Sequence, residues 1–181
     1  MHYKMVMALS FLACHTPYRL LMAAGWLLGN LYYLLIKRQR ELAIAQIMSA
    51  LHMTETEAKK TVRASFINLA RNVLEILYMP HLNKKNFRKY IEIDHLERME
   101  AALAEGKGVV VLTGHIGTWE WLSAAFSLNG MPVTAIAKSQ PNMQYTYALN
   151  DLRKTIDVEI FSRGTSELLA AARALRKGKL L

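Results

Sequence analysis

The sequence predicts an α/β protein in which apolar and amphipathic helices come first, followed by a mainly parallel sheet with helices on both faces. Apolar residues are concentrated in the first 40 positions, helical periodicity continues to about Pro80, and short β-rich runs then alternate with helical segments. The 181 residues are 52% hydrophobic, which supplies a sizeable core and excludes a disordered chain. We divide the chain into a helical segment, 1–40, and an α/β domain, 41–181.

Two nearly uncharged runs open the chain, at 5–14 and 20–36. The second has 17 residues, and a helix of that length spans about 25 Å, short of the roughly 30 Å hydrocarbon core of a bilayer. Aromatic residues in this run suit the membrane interface, and a basic cluster after it is typical of a cytoplasmic flank. These residues are Trp26, Tyr32 and Tyr33, followed by Lys37, Arg38 and Arg40. We predict that segment 1–40 anchors the protein, either across a membrane or along its surface.

Gly25 and Gly29 form a GxxxG pair in the second run. Such a pair lets two helices approach closely, and we expect it to pack against a neighbouring helix of the same chain. The single cysteine, Cys14, excludes an intrachain disulfide and favours a reducing, cytoplasm-facing location.

From Arg40 onward the pattern is that of soluble amphipathic helices. Apolar residues at helical spacing over 42–51 predict one helix. Thr54, followed three residues later by Glu57, is a capping-box sequence that begins the next helix, and Pro80 ends it.

Beyond Asn83, strands and helices are predicted to alternate. The predicted strands are 90–93, 109–113, 133–137 and 158–161, and the predicted helices are 94–104, 118–128, 142–154 and 165–178. This alternation is typical of βαβ units, and the run 109–112 is apolar enough to be covered on both faces. Residues 179–181 begin what should be another strand, so we expect part of the protein to follow residue 181.

The loop 114–120, GHIGTWE, combines residues suited to catalysis. It follows the most apolar predicted strand, and ligands of parallel sheets bind where such loops enter a helix. The amides of Gly117 and Thr118 begin that helix and favour an oxyanion near the His115 imidazole. Glu120, five positions after His115, can hold the ring and raise its basicity, which suits deprotonation of a hydroxyl. The alternative is a solvated loop histidine and a glutamate favoured by the helix dipole.

Other chemistries have weaker support in the sequence. No second His or Cys lies at zinc-ligand spacing from His115, so we predict no metal. Neither Ser123 nor Ser139 lies in a GxSxG turn, and nucleotide-binding glycine loops are absent from the sequence, so we also predict no cofactor.

Further segments along nearly the whole chain carry a family pattern. They are KRQR at 37–40, TVRASF at 61–66 with Asn68 and Leu69, the helix around Glu75, GKGV at 106–109, Arg163-Gly164 and LRKG at 175–178. Together with His115, four residues and then Glu120, they resemble the bacterial lipid A lauroyl/myristoyl acyltransferases. These belong to the wider glycerolipid acyltransferase group, in which His is followed after four residues by Asp or Glu.

The resemblance implies an enzyme of the inner (cytoplasmic) membrane whose catalytic domain faces the cytoplasm. It implies transfer of a fatty acyl chain from an acyl-carrier protein thioester to a hydroxyl of a lipid A precursor. His115 would be the general base and Glu120 its orienting partner, with no covalent acyl-enzyme.

The resemblance also implies substrate-binding residues. Lys138, Arg153 and Arg163 match basic family positions and would contact phosphate, the developing oxyanion or the carrier, although Arg is more usual at the place of Lys138. A family acidic motif follows the strand that begins at Leu180, so the acyltransferase domain, 41–181, is expected to be incomplete.

The net charge of +9 fits an anionic partner such as the carrier protein or an anionic lipid. The nearest alternative enzyme is a lysophospholipid or glycerol-phosphate acyltransferase, whose members more often have Asp in place of Glu120. A non-enzymatic alternative is a basic module that binds a membrane or nucleic acid. The basic residues are spread over three segments without interleaved aromatics, so we expect no nucleic-acid partner.

Overall fold

The computed structural model describes residues 1–162 and 164–181. Its N-terminal helices are α1 (His2–His15), α2 (Tyr18–Leu35), α3 (Lys37–Leu51) and α4 (Glu55–Tyr78). They are followed by α5 (Leu96–Ala104), α6 (Trp119–Leu128), α7 (Met143–Lys154) and α8 (Thr165–Arg176), with strands β1 (Thr134–Ala137) and β2 (Glu159–Ser162). The described chain is therefore mixed α/β and mostly helical, with a small parallel sheet.

The chain forms two compact units. The helical unit is His15–Glu75, and the α/β unit consists of Met1–Cys14 and Ile76–Leu181. The division of the sequence at residue 40 into an anchoring segment and a catalytic domain stays a prediction.

The start and the end of α4 agree with the sequence. The backbone N–H of Thr54 donates to Glu57 Oε2 at 2.9 Å, and the Glu57 N–H donates to Thr54 Oγ1 at 3.4 Å. Hydrogen bonds from Thr54 hold the pKa of Glu57 below its usual value. At the other end, Pro80 lies in a 3-10 turn, Met79–His81, which follows directly on α4. The predicted capping box and proline stop are confirmed.

Within the helical unit, α2 packs against α4 through its two glycines. A Cβ built on Gly29 would lie 2.4 Å from the Cα of Ile67, and one on Gly25 would lie 2.8 Å from Cγ of Arg71. Only residues without side chains allow this approach, so the expectation that the GxxxG pair packs on a neighbouring helix is confirmed.

Much of the apolar surface of α2 is open to solvent. Leu27, Leu34 and Leu35 are 61%, 66% and 69% exposed. None of the described helices is by itself long and apolar enough to span a membrane. Taken together, α2 and α3 have the length and the apolar composition of a broken span, and they are bent by 92° at their junction.

The sheet of the α/β unit is organised around Leu180. β1 and β2 pair in parallel, with Thr134 opposite Glu159. Leu180 forms parallel bridges to Val109 on one side and to Val133 on the other. The N–H of Val111 donates to the Leu181 carbonyl at 2.7 Å, and that of Thr134 to the Leu180 carbonyl at 2.9 Å. Leu180 therefore forms isolated bridges between the run 109–111 and the start of β1, in the segment where the sequence predicts the beginning of a strand.

Two predicted strands differ in the structure. Residues 90–93 form no strand. Asn83 and Asn86 close a turn, and the 3-10 helix Phe87–Lys89 comes directly after that turn and directly before residue 90. Among the described residues, the run 109–113 has a bridge only at Val109. Val110 and Leu112 are 65% and 98% exposed, because strand alternation directs both to a face that no described element packs against. The expectation that this run is covered on both faces is wrong for the described structure.

Candidate functional site

The candidate site lies at the carboxyl edge of the sheet, where ligands of parallel sheets bind. The loop 114–118 leads from the run 109–111 into α6, and Lys138 directly follows β1. Lys138 and Arg153 of α7 line one small cavity with the ends of both strands. Its volume is about 10 Å³, space for about one water molecule, so no substrate group fits there without movement.

His115 lies on the loop with its side chain exposed to solvent. Its ring is 4.9 Å from the Trp119 ring, centroid to centroid, with an angle of 56° between the planes. Thr118 is the N-cap residue of α6, and its carbonyl accepts from the Trp121 N–H at 2.9 Å. The imidazole therefore lies at the entrance to α6, near the N–H groups of its first turn.

Glu120 is held by Arg153. Arg153 Nε donates to Glu120 Oε2 at 2.8 Å, and Nη2 donates to Oε1 at 2.5 Å. The two side chains are 12% and 15% exposed, so the pair is largely shielded from water. Arg153 Nη1 also donates to Asn150 Oδ1 at 3.2 Å. This arrangement joins α6 to α7 at the edge of the site.

Among the described residues, no hydrogen bond joins His115 to Glu120. The first turn of α6 turns the Glu120 carboxylate towards α7, where a guanidinium meets both of its oxygens. A carboxylate has about four lone-pair sites, and Arg153 uses one on each oxygen. The pairing of His115 with Glu120 stays a prediction. The partner of Glu120 in the structure is Arg153.

A cleft of about 510 Å³ lies beside the His115 loop. This volume is in the range of small-molecule sites, roughly 300–1,000 Å³. Its lining combines apolar and aromatic side chains with two carboxylates: Tyr90, Ile116, Trp119, Trp121, Leu122 and Phe126, with Glu92 and Asp94. The cleft thus offers an apolar channel next to the candidate base.

Aromatic contacts position Tyr90 in the wall of this cleft. Its hydroxyl is 3.3 Å from that of Tyr78, whose ring stacks on His81 with centroids 4.6 Å apart. Burial, and then the hydrogen bond with Tyr90, raises the pKa of Tyr78 well above its usual value. Tyr78 is therefore neutral at physiological pH and acts as a fixed hydrogen-bonding support.

The remaining predicted site residues are distributed around this edge. Lys138 is exposed, and it has no salt bridge within the described residues. The amides of Gly117 and Thr118 lie at the start of α6 as predicted. Arg163 lies outside the described residues. No group of three His, Cys, Asp or Glu side chains in the described part of the chain is arranged to hold a metal ion.

Sequence reasoning missed the pair of Arg153 with Glu120. Arg153 lies next to Leu152, which is fully buried on the inner face of α7. An arginine at the border of a buried helix face needs an anionic partner, and this pattern was the available signal.

The sequence matches a known family model, described as bacterial lipid A biosynthesis acyltransferase, over residues 2–181. A search of curated proteins gave no match. The family match spans the helical unit, the sheet and the His115 loop, which agrees with the resemblance seen in the sequence. The chain therefore belongs to the bacterial lipid A biosynthesis acyltransferase family and is an acyltransferase enzyme.

Proposed function

We propose that this enzyme moves a fatty acyl chain from an acyl-carrier protein thioester to a hydroxyl of a lipid A precursor. The family supports acyl transfer in lipid A biosynthesis and a lipid acceptor. The observation that carries the mechanism is an exposed imidazole, His115, at the carboxyl edge of the sheet, beside a cleft of about 510 Å³ and five positions before the largely shielded Glu120 carboxylate.

In the proposed reaction His115 acts as the general base. It accepts the proton of the acceptor hydroxyl while the oxygen attacks the thioester carbonyl. A carbon–oxygen bond forms and the carbon–sulfur bond breaks, and the imidazolium returns its proton to the leaving thiolate. No acyl-enzyme intermediate is needed.

Glu120 is the proposed orienting partner of His115. The exposed His115 side chain has room to rotate, and each Glu120 oxygen keeps a lone pair that Arg153 does not use. A hydrogen bond from the ring would select the tautomer in which the other nitrogen is the base. Arg153 would favour this selection of one tautomer, because it holds the Glu120 carboxylate in one position.

Arg153 is proposed as a positioning residue. Three of its N–H groups already donate to Glu120 and Asn150, which leaves two of the five that a guanidinium offers. A substrate phosphate would have to compete with the largely shielded Glu120 carboxylate for the Arg153 guanidinium. This favours an effect through Glu120 over direct substrate binding.

Two backbone amides and two basic side chains are also proposed to stabilise negative charge. The amides of Gly117 and Thr118 lie where the helix N-terminus favours an oxyanion. Lys138, at the end of β1, is exposed and supplies a positive point charge for the oxyanion or for phosphate. Arg163, which follows β2 in the sequence, is proposed as a phosphate or carrier contact.

The acyl chain is proposed to occupy the cleft beside the loop. Its walls are mostly aromatic and aliphatic, and Ile116 and Trp119 bring it next to His115. The acidic carrier would be attracted by the net charge of +9, which favours rapid encounter.

The protein is also proposed to act at the cytoplasmic face of the inner membrane. Its lipid acceptor resides in a bilayer, and α2 presents exposed leucines that suit an apolar environment. Membrane attachment would bring the acceptor hydroxyl to the catalytic loop without release of its acyl chains into water.

The variant His115→Ala tests this proposal. We expect transfer from acyl-carrier protein to a lipid A precursor to fall by roughly 10²- to 10⁴-fold, as for loss of a general base. His95→Ala is the matched control, because His95 is also exposed and lies on another loop. Mass spectrometry identifies the product, and a lysophospholipid acceptor is assayed in parallel. Unchanged turnover in His115→Ala would exclude His115 as the general base. Preferred acylation of the lysophospholipid would exclude a lipid A precursor as the acceptor.

A further inference from the structure

A second cleft, in the helical unit, combines a basic wall with an apolar wall. Its volume is about 560 Å³, and it lies between α2 and the second and third turns of α4. Lys59, Lys60 and Arg63 line it from α4. Trp26, Leu27 and Leu34 line it from α2 and are 48%, 61% and 66% exposed.

The basic wall is built on a partly buried polar contact. Arg63 Nε donates to Asn30 Oδ1 at 2.7 Å, and Asn30 Nδ2 donates to the Trp26 carbonyl at 2.8 Å. Asn30 is only 8% exposed, although the helix around it is apolar. The contact fixes the Arg63 side chain at its Nε atom and leaves its two terminal nitrogens for another acceptor.

The charges around the cleft are not balanced by the protein. Lys59 pairs with Glu55 at 2.6 Å, but within the described residues no salt bridge involves Lys60 or Arg63. Arg40 lies close by, with Nη1 donating to the Tyr33 carbonyl at 3.0 Å. The site therefore keeps a local excess of positive charge.

From this arrangement we propose that the cleft binds the phosphate headgroup of an anionic bilayer lipid, whose acyl chains lie along Trp26, Leu27 and Leu34. A bilayer lipid carries its phosphate directly above its acyl chains, and the two walls match that order. A soluble anion would use the basic wall alone and leave three large apolar side chains in water. The inference rests on the proposed membrane attachment and is independent of the proposed reaction at His115.

The test measures partition of the protein onto vesicles of phosphatidylcholine with and without phosphatidylglycerol. The variant Lys60→Gln/Arg63→Gln removes two positive charges from the cleft, and Lys84→Gln/Lys85→Gln removes two from an exposed turn elsewhere. We expect the cleft variant to bind anionic vesicles roughly 30-fold more weakly, and the control less than about threefold more weakly. Lys60→Glu changes the charge by the same amount without disturbing the Asn30 contact, and should behave like the cleft variant.

A second readout locates the lipid chains. Lipids brominated in the acyl chain should quench tryptophan fluorescence, and Trp26→Phe should remove most of that quenching. Equal binding by the cleft and control variants would overturn the proposal. So would displacement from vesicles by inorganic phosphate at matched ionic strength, or loss of carrier-protein binding with vesicle binding intact.

The same variants separate this inference from the reaction. The cleft variants should still acylate a detergent-solubilised acceptor at the wild-type rate, while His115→Ala should lose transfer and keep vesicle binding. Failure of one proposal therefore leaves the other testable.

Discussion

Arg153 and Glu120 form a two-point ion pair, with Nε to Oε2 at 2.8 Å and Nη2 to Oε1 at 2.5 Å. Both side chains are largely buried. Paired N–H donors in one plane define the orientation of a carboxylate more tightly than a single contact does. The acid of the His-x4-Glu pattern is thus held by a residue 33 positions away, on the helix that follows β1.

Replacement of Arg153 by Lys should separate positioning from substrate binding. An ammonium keeps the charge but not the planar pair of donors, so Glu120 loses its fixed orientation. We expect kcat to fall about tenfold or more, with little change in the KM for the acceptor. If Glu120 orients His115 as proposed, the pH profile of kcat should also shift. Lys154→Ala, next in sequence and exposed, is the control. A raised KM with unchanged kcat would assign Arg153 to substrate binding.

Gly29→Ala should destabilise the helical unit more than Gly25→Ala. The new Cβ at position 29 meets the backbone of α4, at 2.4 Å from the Ile67 Cα, whereas at position 25 it lies 2.8 Å from the Arg71 Cγ and 3.1 Å from the nearest backbone atom, the Arg71 Cα. We expect a loss of about 1–3 kcal/mol in the free energy of unfolding for Gly29→Ala. For Gly25→Ala, the better helix propensity of alanine, about 1 kcal/mol, should offset much of the loss. Urea denaturation measures both, and equal losses would contradict the close approach at Gly29.

Gly108→Ala and Gly106→Ala form a second matched pair. Both glycines have positive φ, at +76° and +72°, so both substitutions strain the backbone. Only at Gly108 would the Cβ also meet another chain segment, 2.1 Å from the Leu175 carbonyl oxygen. We expect losses in the free energy of unfolding of about 1 kcal/mol at position 106 and about 2–4 kcal/mol at position 108. Thermal and urea unfolding check this order, and its reversal would refute the contact with α8.

Asp151 should make α1 docking sensitive to acid. The carboxylate accepts from Lys154 Nζ and from the Tyr3 hydroxyl, both at 2.8 Å, and these bonds hold the Asp151 pKa below its usual value. Because the folded-state pKa is the lower one, the stabilisation is complete above the unfolded value, near 3.9, and is lost as pH falls through the folded value.

This sign predicts a specific pH dependence of the melting temperature. Asp151→Asn should melt below the wild type at pH 7, and the difference should shrink as the pH falls below about 4. Tyr3→Phe removes only the contact with α1 and should give a smaller difference in the same pH range. A difference that stays constant down to acid pH would show that the charge of Asp151 is not its source.

The helices were predictable because their signals are local. The capping pair Thr54 and Glu57, the proline at position 80 and the apolar periodicity each act within a few residues. The strand predicted at 90–93 was wrong because its alternation was outweighed by a side-chain-closed turn just before it. This turn depends on hydrogen bonds from backbone N–H groups to the side-chain amide oxygens of Asn83 and Asn86, and the apolar periodicity of a sequence does not reveal such bonds.

The roles of the predicted site residues stay predictions, and the contact between Arg153 and Glu120 was not predicted. The loop pattern predicted His115 with Glu120 as its partner, and the family resemblance indicated Arg153. Which group meets the Glu120 carboxylate depends on the packing of α6 against α7 in space. No spacing along the chain expresses that relation, and the same holds for the cleft between α2 and α4.

The central place of Leu180 determines the order in which the α/β unit can assemble during translation. Its backbone joins Val109 to Val133, so these two segments are linked only after the ribosome has added Leu180, 46 positions after Thr134 of β1. Until then the nascent chain exposes unpaired strand edges beside the loop that carries His115. Chaperones that recognise extended apolar segments would have their longest opportunity to bind in that interval.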